Sequence, residues 1–480
     1  KGCAKRKELE NGIKLHHDVI EKGLLEKNLY IGSALVNMYA KCGALKRAQK
    51  VLDELHVRNV TCWNALIGGY AQQGRCEDAL NCFEQMQRDG ISPNTITFTY
   101  IMKACGITQE VNKGSLIHEE ISRNGLLEKD ILLGTAVVDM YAKCGKLEKA
   151  QKVHDGLPLR DVFTWNALIA GYAHQSQSEA ALNCFEQMKN DGLCPDVITF
   201  TCILKACGST AAIDKGIQIH REIVNKGLLI KDTILGTALV DMYAKCSELR
   251  KAHQVLDELL VRDVVTWNAL IAGYTQHGQS ENALNCFEQM KNDGISPNTT
   301  TIACILEACG NIGALDKAEK IHHAFFKKGT LEKDIVLGTA LVDMYAKCGK
   351  LVKAQQIHNS LHVRDAISWN ALIAGYAHQG HGEEALNGFH RMQNEGFSPN
   401  VVTFICILVA CGNIGAINKG VQIHNELVNK AILGRKETVL STALVDMYVK
   451  CGELRKAQQV FDELLIRDVP SWNALIRGYA

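Results

Sequence analysis

The chain has 480 residues and a formal net charge of +1, with 53 basic and 52 acidic side chains, so it shows neither a global basic signal for nucleic acid nor an acidic tail. Apolar residues make up 47% and aromatic residues 6%, with six prolines, which is typical of a folded, soluble, helical protein. No apolar run reaches the roughly 18 residues that a membrane span needs.

In chain order, residues 1–28 predict a partial repeat, thirteen complete repeats follow over residues 29–468, and residues 469–480 begin a truncated one. Because Lys1 stands in the middle of the pattern, we expect the sequence to be a piece of a longer protein. The repeat is marked by the tryptophans, which are 102, 102, 102 and 103 residues apart: Trp63, Trp165, Trp267, Trp369 and Trp472. The one longer gap comes from an extra residue in "AILGRKE" at residues 431–437.

Each period contains three units of 31, 35 and 36 residues. Every unit has two amphipathic stretches separated by a small polar break, and the apolar residues of "ALNCFEQM" follow the i, i+3, i+4, i+7 spacing of a helix. Gly and Pro in "DGISPN" end one helix before the next begins. The sequence therefore predicts helical hairpins, which bury their apolar faces by stacking into an all-α solenoid superhelix.

The 19 cysteines include no C-x-x-C pair. Most recur with the repeat, in "AKC" at Cys42, Cys144, Cys246 and Cys348 and in "AC" at Cys105, Cys207, Cys309 and Cys411. We interpret them as small buried apolar side chains in a reducing compartment, and we expect no metal and no cofactor.

The alternation of unit lengths, with "WNALIAGY", "LVDMYAKCG" and a closing Asp or Asn, resembles the pentatricopeptide repeat family, and within it the three-register (P-L-S) subclass of land-plant organelles. The resemblance covers essentially the whole chain. It implies binding of single-stranded RNA in the concave groove, one base per repeat, with the amino end toward the RNA 5′ end. In the family the fifth and last residues of a unit recognise the base edge, and the second residue packs on the base face.

Carried onto this sequence, the fifth residues expected to recognise bases are Asn64, Asn166, Asn268, Asn370 and Asn473 in the 35-residue units and Ser33, Thr135, Thr237, Thr339 and Thr442 in the 31-residue units. The matching closing residues are Asn94, Asp196, Asn298 and Asn400, and Asn59, Asp161, Asp263, Asp365 and Asp468. An Asn amide suits a pyrimidine, whereas a short hydroxyl admits a purine. A closing Asp favours U or G, and a closing Asn favours C or A.

The 36-residue units are less regular. Thr99 with Asp130 and Thr201 with Asp232 are expected to recognise G weakly, while Ala303 with Asp334 and Ile405 with Glu437 form no matching pair. The predicted target is 5′-A-Y-g-G-U-g-G-Y-n-G-Y-n-G-3′, in which lower case marks weak positions, Y is a pyrimidine and n is any base. Y favours C where the closing residue is Asn.

Two further sets of residues are expected at the RNA. The second residues expected to stack on bases are Leu132, Phe163, Ile234, Val265, Val336 and Ile367, while Thr61 and Pro470 depart from this pattern. One lysine per 31-residue unit, Lys41, Lys143, Lys245, Lys347 and Lys450, is expected to contact phosphate if that position faces the groove; the alternative is a solvated helix face.

His-x-Glu occurs at His118, His220 and His424, but the P-C-x-x-C half of a zinc deaminase site is missing. We therefore expect no catalysis by this chain. The leading hypothesis is the targeting array of a chloroplast or mitochondrial C-to-U editing factor, with a deaminase domain or editing co-factor protein supplying the chemistry. The alternatives are an RNA stabilisation or splicing factor, a protein-interaction solenoid, and an idealised consensus-like sequence.

Overall fold

A computed structural model describes residues 8–23, 29–229, 232–325, 334–430, 438–464 and 466–480. The predicted partial repeat at the start is thus described only over residues 8–23. The predicted insertion at residues 431–437, including the closing residue Glu437, lies outside the described residues. In the parts of the chain that are described, every regular element is a helix.

The chain forms two compact units, Lys1–Cys246 and Ser247–Ala480. The helices of the first unit are α1 (Leu9–Glu21), α2 (Leu29–Lys41), α3 (Leu45–Glu54), α4 (Val60–Gln72), α5 (Cys76–Arg88), α6 (Thr95–Thr108), α7 (Val111–Arg123), α8 (Ile131–Lys143), α9 (Leu147–Gly156), α10 (Val162–His174), α11 (Ser178–Asn190), α12 (Val197–Ser209), α13 (Ile213–Asn225) and α14 (Thr233–Lys245). Those of the second unit are α15 (Leu249–Glu258), α16 (Val264–Gln276), α17 (Ser280–Asn292), α18 (Thr299–Ile312), α19 (Leu315–Phe325), α20 (Ile335–Lys347), α21 (Leu351–Ser360), α22 (Ala366–His378), α23 (Gly382–Asn394), α24 (Val401–Asn413), α25 (Ile417–Asn429), α26 (Thr438–Lys450), α27 (Leu454–Asp462) and α28 (Val469–Tyr479).

Helix starts follow the predicted repeat lengths. The first helices α4, α6, α8 and α10 begin at residues 60, 95, 131 and 162, so successive starts are 35, 36 and 31 residues apart. The short repeat has a short second helix: α3 and α9 have 10 residues, whereas α5 and α7 have 13. The three repeat lengths therefore differ partly in the second helix, while the first helix stays at 13 or 14 residues.

Wherever the structure describes it, the closing residue of a repeat is the N-cap of the next first helix. Asp196 accepts the N–H of Thr199, and the Thr199 hydroxyl in turn accepts the N–H of Asp196, which completes a capping box. Between the two helices of a repeat the chain passes through a left-handed residue, for example Gly145 at φ 70°, where glycine has no Cβ to clash.

Within each unit the first helices of neighbouring repeats pack side by side, and each second helix packs on its own first helix and on the next one. Four tryptophans fill this interior and are at most 2% exposed: Trp63, Trp165, Trp267 and Trp369. Close approach of α6 and α8 needs Gly106, because a Cβ there would lie 3.1 Å from the Cα of Met140. Within the described ranges, no helix is both long and apolar enough to cross a membrane.

The recurring cysteines divide into two groups. Cys105, Cys207, Cys309 and Cys411 are buried, which confirms the interpretation of the "AC" set, whereas the "AKC" cysteines are half-buried. Burial raises the pKa of Cys105 and Cys207 to about 12, so these thiols stay protonated at neutral pH. All cysteines in the described part of the chain are free thiols.

Candidate nucleic-acid interface

Within each of the two compact units, a row of exposed apolar side chains follows the second residue of successive repeats. The six residues predicted to stack on bases, from Leu132 to Ile367, are 54–66% exposed. Folded proteins usually bury such side chains, so their regular exposure indicates a surface for a partner. On each first helix the second residue is three positions before the fifth, as Phe163 is before Asn166, so both lie on the same face.

Sequence reasoning missed five members of this row. Tyr30, Ile96, Ile198, Val402 and Val439 occupy the second position of their repeats and are also exposed. The repeat register alone identifies them, so the signal was present in the sequence.

In the 35-residue repeats the fifth residue and the closing residue meet. Asn64 Nδ2 donates to Asn94 Oδ1 over 3.0 Å, and Asn166 Nδ2 donates to Asp196 Oδ1 over the same distance. The second unit repeats the contact, with Asn268 Nδ2 at 3.0 Å from Asn298 Oδ1 and Asn370 Nδ2 at 3.3 Å from Asn400 Oδ1. The structure therefore brings together all four predicted pairs, beside the exposed apolar row.

A threonine of the following repeat joins each of these pairs. The hydroxyls of Thr97 and Thr199 lie 2.6 Å from Asn64 Oδ1 and Asn166 Oδ1. Thr301 and Thr403 make the same 2.6 Å contact with Asn268 and Asn370. All four threonines are fully buried, and three of the four fifth-position asparagines are 5–9% exposed.

The pairs of the 31-residue repeats are connected less uniformly. Asn59 Nδ2 lies 3.4 Å from Ser33 Oγ, which also lies 3.0 Å from Cys62 Sγ. Thr135 Oγ1 reaches Asp161 through Thr164, whose hydroxyl is 2.9 Å from Thr135 and 2.7 Å from Asp161 Oδ1.

After two later 31-residue repeats, the next repeat carries serine at the position of Thr164. The Ser368 hydroxyl turns to the carbonyl of its capping residue Asp365, and the Thr339 hydroxyl is then buried without a hydrogen-bond partner among the described residues. The same holds for Ser471 and Thr442.

The other predicted base-recognition residues occupy the same fifth and closing positions of their repeats. Asp263 caps α16 through the N–H of Thr266 at 2.8 Å, and Asp468 caps α28. Thr237 is the fifth residue of its repeat on α14, and Asn473 is exposed on α28. Ile405 lies on α24, whereas its predicted partner Glu437 falls outside the described residues.

The 36-residue repeats lack the paired arrangement. The hydroxyls of Thr99 and Thr201 donate to backbone carbonyls one turn earlier in their own helices, at 2.8 and 2.7 Å. Asp130 and Asp232 cap the next helix through its second and third N–H groups, with backbone ψ near 105° rather than 170–180°. The third residue of that next helix is a leucine, so no hydroxyl connects the fifth and closing residues.

The predicted phosphate-binding lysines have acidic neighbours. Lys143, Lys245, Lys347 and Lys450 form ion pairs of 2.6–2.9 Å with the Asp four residues earlier on the same helix. The spacing of Thr135, Asp139 and Lys143 is i, i+4, i+8, so the lysine shares a helix face with the base-recognition position. Lys41 differs, because Asn37 occupies the place of the aspartate.

The His-x-Glu motifs have a structural explanation. His118 Nδ1 lies 3.0 Å from the hydroxyl of Tyr141, and His424 Nδ1 lies 2.8 Å from that of Tyr448. Burial lowers the pKa of both histidines, which are therefore mostly neutral at pH 7. In the described ranges no three His, Cys, Asp or Glu side chains are grouped so as to hold a metal ion.

Comparisons with known proteins agree with this geometry. The model of the PPR repeat family matches residues 58–106, 160–209, 262–311 and 364–413, and the model of the single PPR repeat matches residues 33–60, 135–161, 237–264, 339–365 and 439–469. A mitochondrial pentatricopeptide repeat-containing protein of Arabidopsis thaliana is 33% identical over 100% of this chain and 69% of its own length. A chloroplastic one from the same plant is 32% identical over 99% of this chain, which spans 58% of that relative.

Two solved structures share the fold. The pentatricopeptide repeat protein PPR10 from maize matches with a TM-score of 0.62 and 19% identity, over 99% of this chain and 73% of the other. PPR10 in complex with an 18-nucleotide RNA element matches with a TM-score of 0.50 and 17% identity, over 94% of this chain and 76% of the other. On the family models and the identity to its relatives, the chain belongs to the pentatricopeptide repeat family.

Proposed function

We propose that the chain binds single-stranded RNA sequence-specifically and reads one base per repeat. The observation that carries this proposal is the recurring set of an exposed apolar second residue beside two polar side chains that meet, as Phe163 lies beside Asn166 and Asp196. Apolar side chains pack on the face of any base, whereas paired polar groups distinguish base edges. The RNA complex of PPR10, a structure of the same fold, supports RNA as the partner.

The strong positions of the array are the 31- and 35-residue repeats. Among the described residues of the 36-residue repeats, Thr99 and Thr201 are not joined to Asp130 and Asp232, and the fifth residues Ala303 and Ile405 are apolar. We therefore propose these repeats as spacers with weak base preference. The alternation of three repeat lengths supports assignment to the three-register subclass.

Overall charge does not provide the affinity in this proposal. Four of the five predicted phosphate-binding lysines are paired with aspartate, so each pair is formally neutral until a phosphate competes with the carboxylate. We accordingly expect a shallow salt dependence, with hydrogen bonding and stacking as the main contributions.

A gel-shift titration with the RNA 5′-A-C-G-G-U-G-G-C-N-G-C-N-G-3′ tests the proposal. The scrambled sequence of the same composition is the matched control. We expect at least about tenfold tighter binding of the designed RNA, because each discriminated base contributes about 1–3 kcal/mol. Equal binding of the two RNAs would refute sequence-specific recognition.

In the full-length protein we propose that this array directs C-to-U editing of an organellar transcript, with a deaminase domain or an editing co-factor protein supplying catalysis. The support is the three-length register together with relatives named mitochondrial and chloroplastic. Organellar RNA sequencing in a plant lacking the protein tests this step. Loss of editing at a cytidine near a match to the target is expected, and unchanged editing at every such site would exclude the role.

A further inference from the structure

The asparagine pairs of the 35-residue repeats contain a closed ring of hydrogen bonds whose directions are set by one backbone group. In the second unit the N–H of Thr301 donates to Asn298 Oδ1 over 3.0 Å. A backbone N–H can only donate, so the Asn298 atom facing it must be the amide oxygen. That oxygen also contacts Asn268 at 3.0 Å, and the Asn268 atom there must therefore be the donor Nδ2.

The remaining contacts close the ring. Because Asn268 turns Nδ2 toward Asn298, its oxygen faces Thr301, whose hydroxyl lies 2.6 Å away. The Thr301 hydroxyl accepts the N–H of Asn298 over 3.1 Å and has one hydrogen to donate, and the shortest contact assigns it to Asn268. Neither amide can flip without losing at least one of these hydrogen bonds.

From this ring we propose that Thr97, Thr199, Thr301 and Thr403 are positioning residues for base discrimination, and that each one fixes the amide of the preceding fifth-position asparagine so that it presents only an N–H donor to the base. This inference rests on the proposed function and names a determinant of its specificity. The closing residue is fixed in the same way, with Oδ1 inward. A closing Asn therefore presents its NH₂ group outward, and a closing Asp presents its second carboxylate oxygen.

The outward groups match pyrimidine edges. Cytosine offers two acceptors, O2 and N3, to the two donors of an Asn–Asn pair. Uracil offers an acceptor and the N3–H donor, which suit the donor and acceptor of the Asn166–Asp196 pair. A free asparagine amide instead binds adenine with both its oxygen and its nitrogen. Because the threonine holds the amide oxygen inward, the asparagine cannot make this two-point contact with adenine. We therefore expect the threonine to lower the affinity for adenine at this position.

The other repeats show that the hydroxyl of the third residue makes this connection. Thr164 lies within hydrogen-bond distance of Thr135, whereas Ser368, in the same place, turns away and leaves the Thr339 hydroxyl without a partner among the described residues. After the 36-residue repeats the third residue is a leucine, for example Leu133, and there the fifth and closing residues are not joined.

Thr301→Val tests the inference, because valine keeps the shape and removes the hydroxyl. The readout is the ratio of Kd values for two RNAs that carry A or C opposite the repeat of Asn268 and are otherwise the target. A ratio measured on one protein sample does not depend on the folded fraction. We expect the unchanged protein to prefer C by about tenfold or more, and Thr301→Val to reduce this preference to about threefold or less.

Two controls distinguish the positioning of the Asn268 amide from a nonspecific effect of losing a buried hydroxyl. Thr275→Val removes another buried hydroxyl, which donates to the Ile271 carbonyl of its own helix, and it should leave the preference unchanged. The A/C ratio opposite the repeat of Asn370 should also stay unchanged in Thr301→Val, since its ring contains Thr403 instead.

The outcomes are distinct. A full preference for C in Thr301→Val, with the unchanged protein also selective, would overturn the role of the threonine and leave the proposed function standing. Loss of preference opposite both repeats in Thr301→Val would also overturn local positioning. Absence of any A/C preference in the unchanged protein, opposite either repeat, would overturn the proposed function and the inference with it.

Discussion

Replacement of His358 by leucine is expected to stabilise the protein increasingly as the pH falls. The His358 side chain is fully buried, with its ring centroid 4.3 Å from that of Trp369, and neither ring nitrogen has a hydrogen-bond partner among the described residues. Burial, with a further contribution from Arg364, lowers the pKa of His358 to about 4, from the 6.5 of an exposed histidine. The equivalent residue is Leu256 one period earlier and Leu52 three periods earlier, and both are fully buried, so leucine fits this place.

The sign follows from proton binding. The unfolded chain protonates this histidine near pH 6.5 and the folded chain only near pH 4, so the unfolded state binds more protons between these values. Stability is therefore complete above pH 6.5 and is lost as the pH falls toward 4. The loss from His358 is about 2 kcal/mol at pH 5 and about 3 kcal/mol at pH 4, since one pKa unit corresponds to about 1.4 kcal/mol.

Urea unfolding of the unchanged protein and of His358→Leu, followed by tryptophan fluorescence at pH 7 and pH 5, measures this effect. The stability difference between the two proteins should grow by about 2 kcal/mol between the two pH values. Other buried histidines also titrate, but they are common to both proteins and cancel in the difference. Parallel pH dependences of the two proteins would show that His358 is not held neutral by burial.

Three other substitutions test the interface and the turns. Phe163→Ala should weaken RNA binding about tenfold, because stacking of a base on an aromatic ring contributes about 1–3 kcal/mol. Leu116 is also exposed but lies on a second helix, so Leu116→Ala should leave RNA binding unchanged. Equal effects of the two substitutions would show that Phe163 is not part of the interface. Asp139→Asn releases Lys143 from its ion pair. Filter binding should then show several-fold tighter RNA binding at low salt, and a plot of log association constant against log salt concentration should be steeper by about one. An unchanged slope of that plot would argue against phosphate contact by Lys143. Ser176→Gly should raise the unfolding free energy by about 1 kcal/mol, because Ser176 has φ 58° where other repeats have glycine, and a lower midpoint in thermal unfolding would contradict that reasoning.

Periodicity was sufficient to predict the helical hairpins and their lengths. An apolar spacing repeated in every unit specifies which face is buried. Four of the recurring tryptophans, including Trp165, lie in the interior, whereas Trp472 is 46% exposed. The register also indicated which polar residues would come together. Asn166 and Asp196 are 30 residues apart in sequence, yet their side chains are in contact.

The hydrogen-bond partners were harder to predict. Thr199 was not singled out, because a pattern gives a position but does not show which group 33 residues away it will contact. The closing Asp196 was assigned to the base alone, although Asp and Asn are also preferred helix N-caps, and the structure uses one of its oxygens for that purpose. The Asp139–Lys143 pair was visible as an i, i+4 spacing, but each lysine was considered without its neighbour.

We propose that two polar side chains of each 31- or 35-residue repeat read one base. Selection of bound sequences from a random RNA pool, carried out with the unchanged protein and with Asn268→Thr, tests it most directly. We expect the preferred base to change from C to A opposite this repeat alone, because a short hydroxyl admits a purine and Asn298 still closes the repeat. An unchanged preference there, or a change spread over all positions, would contradict the account.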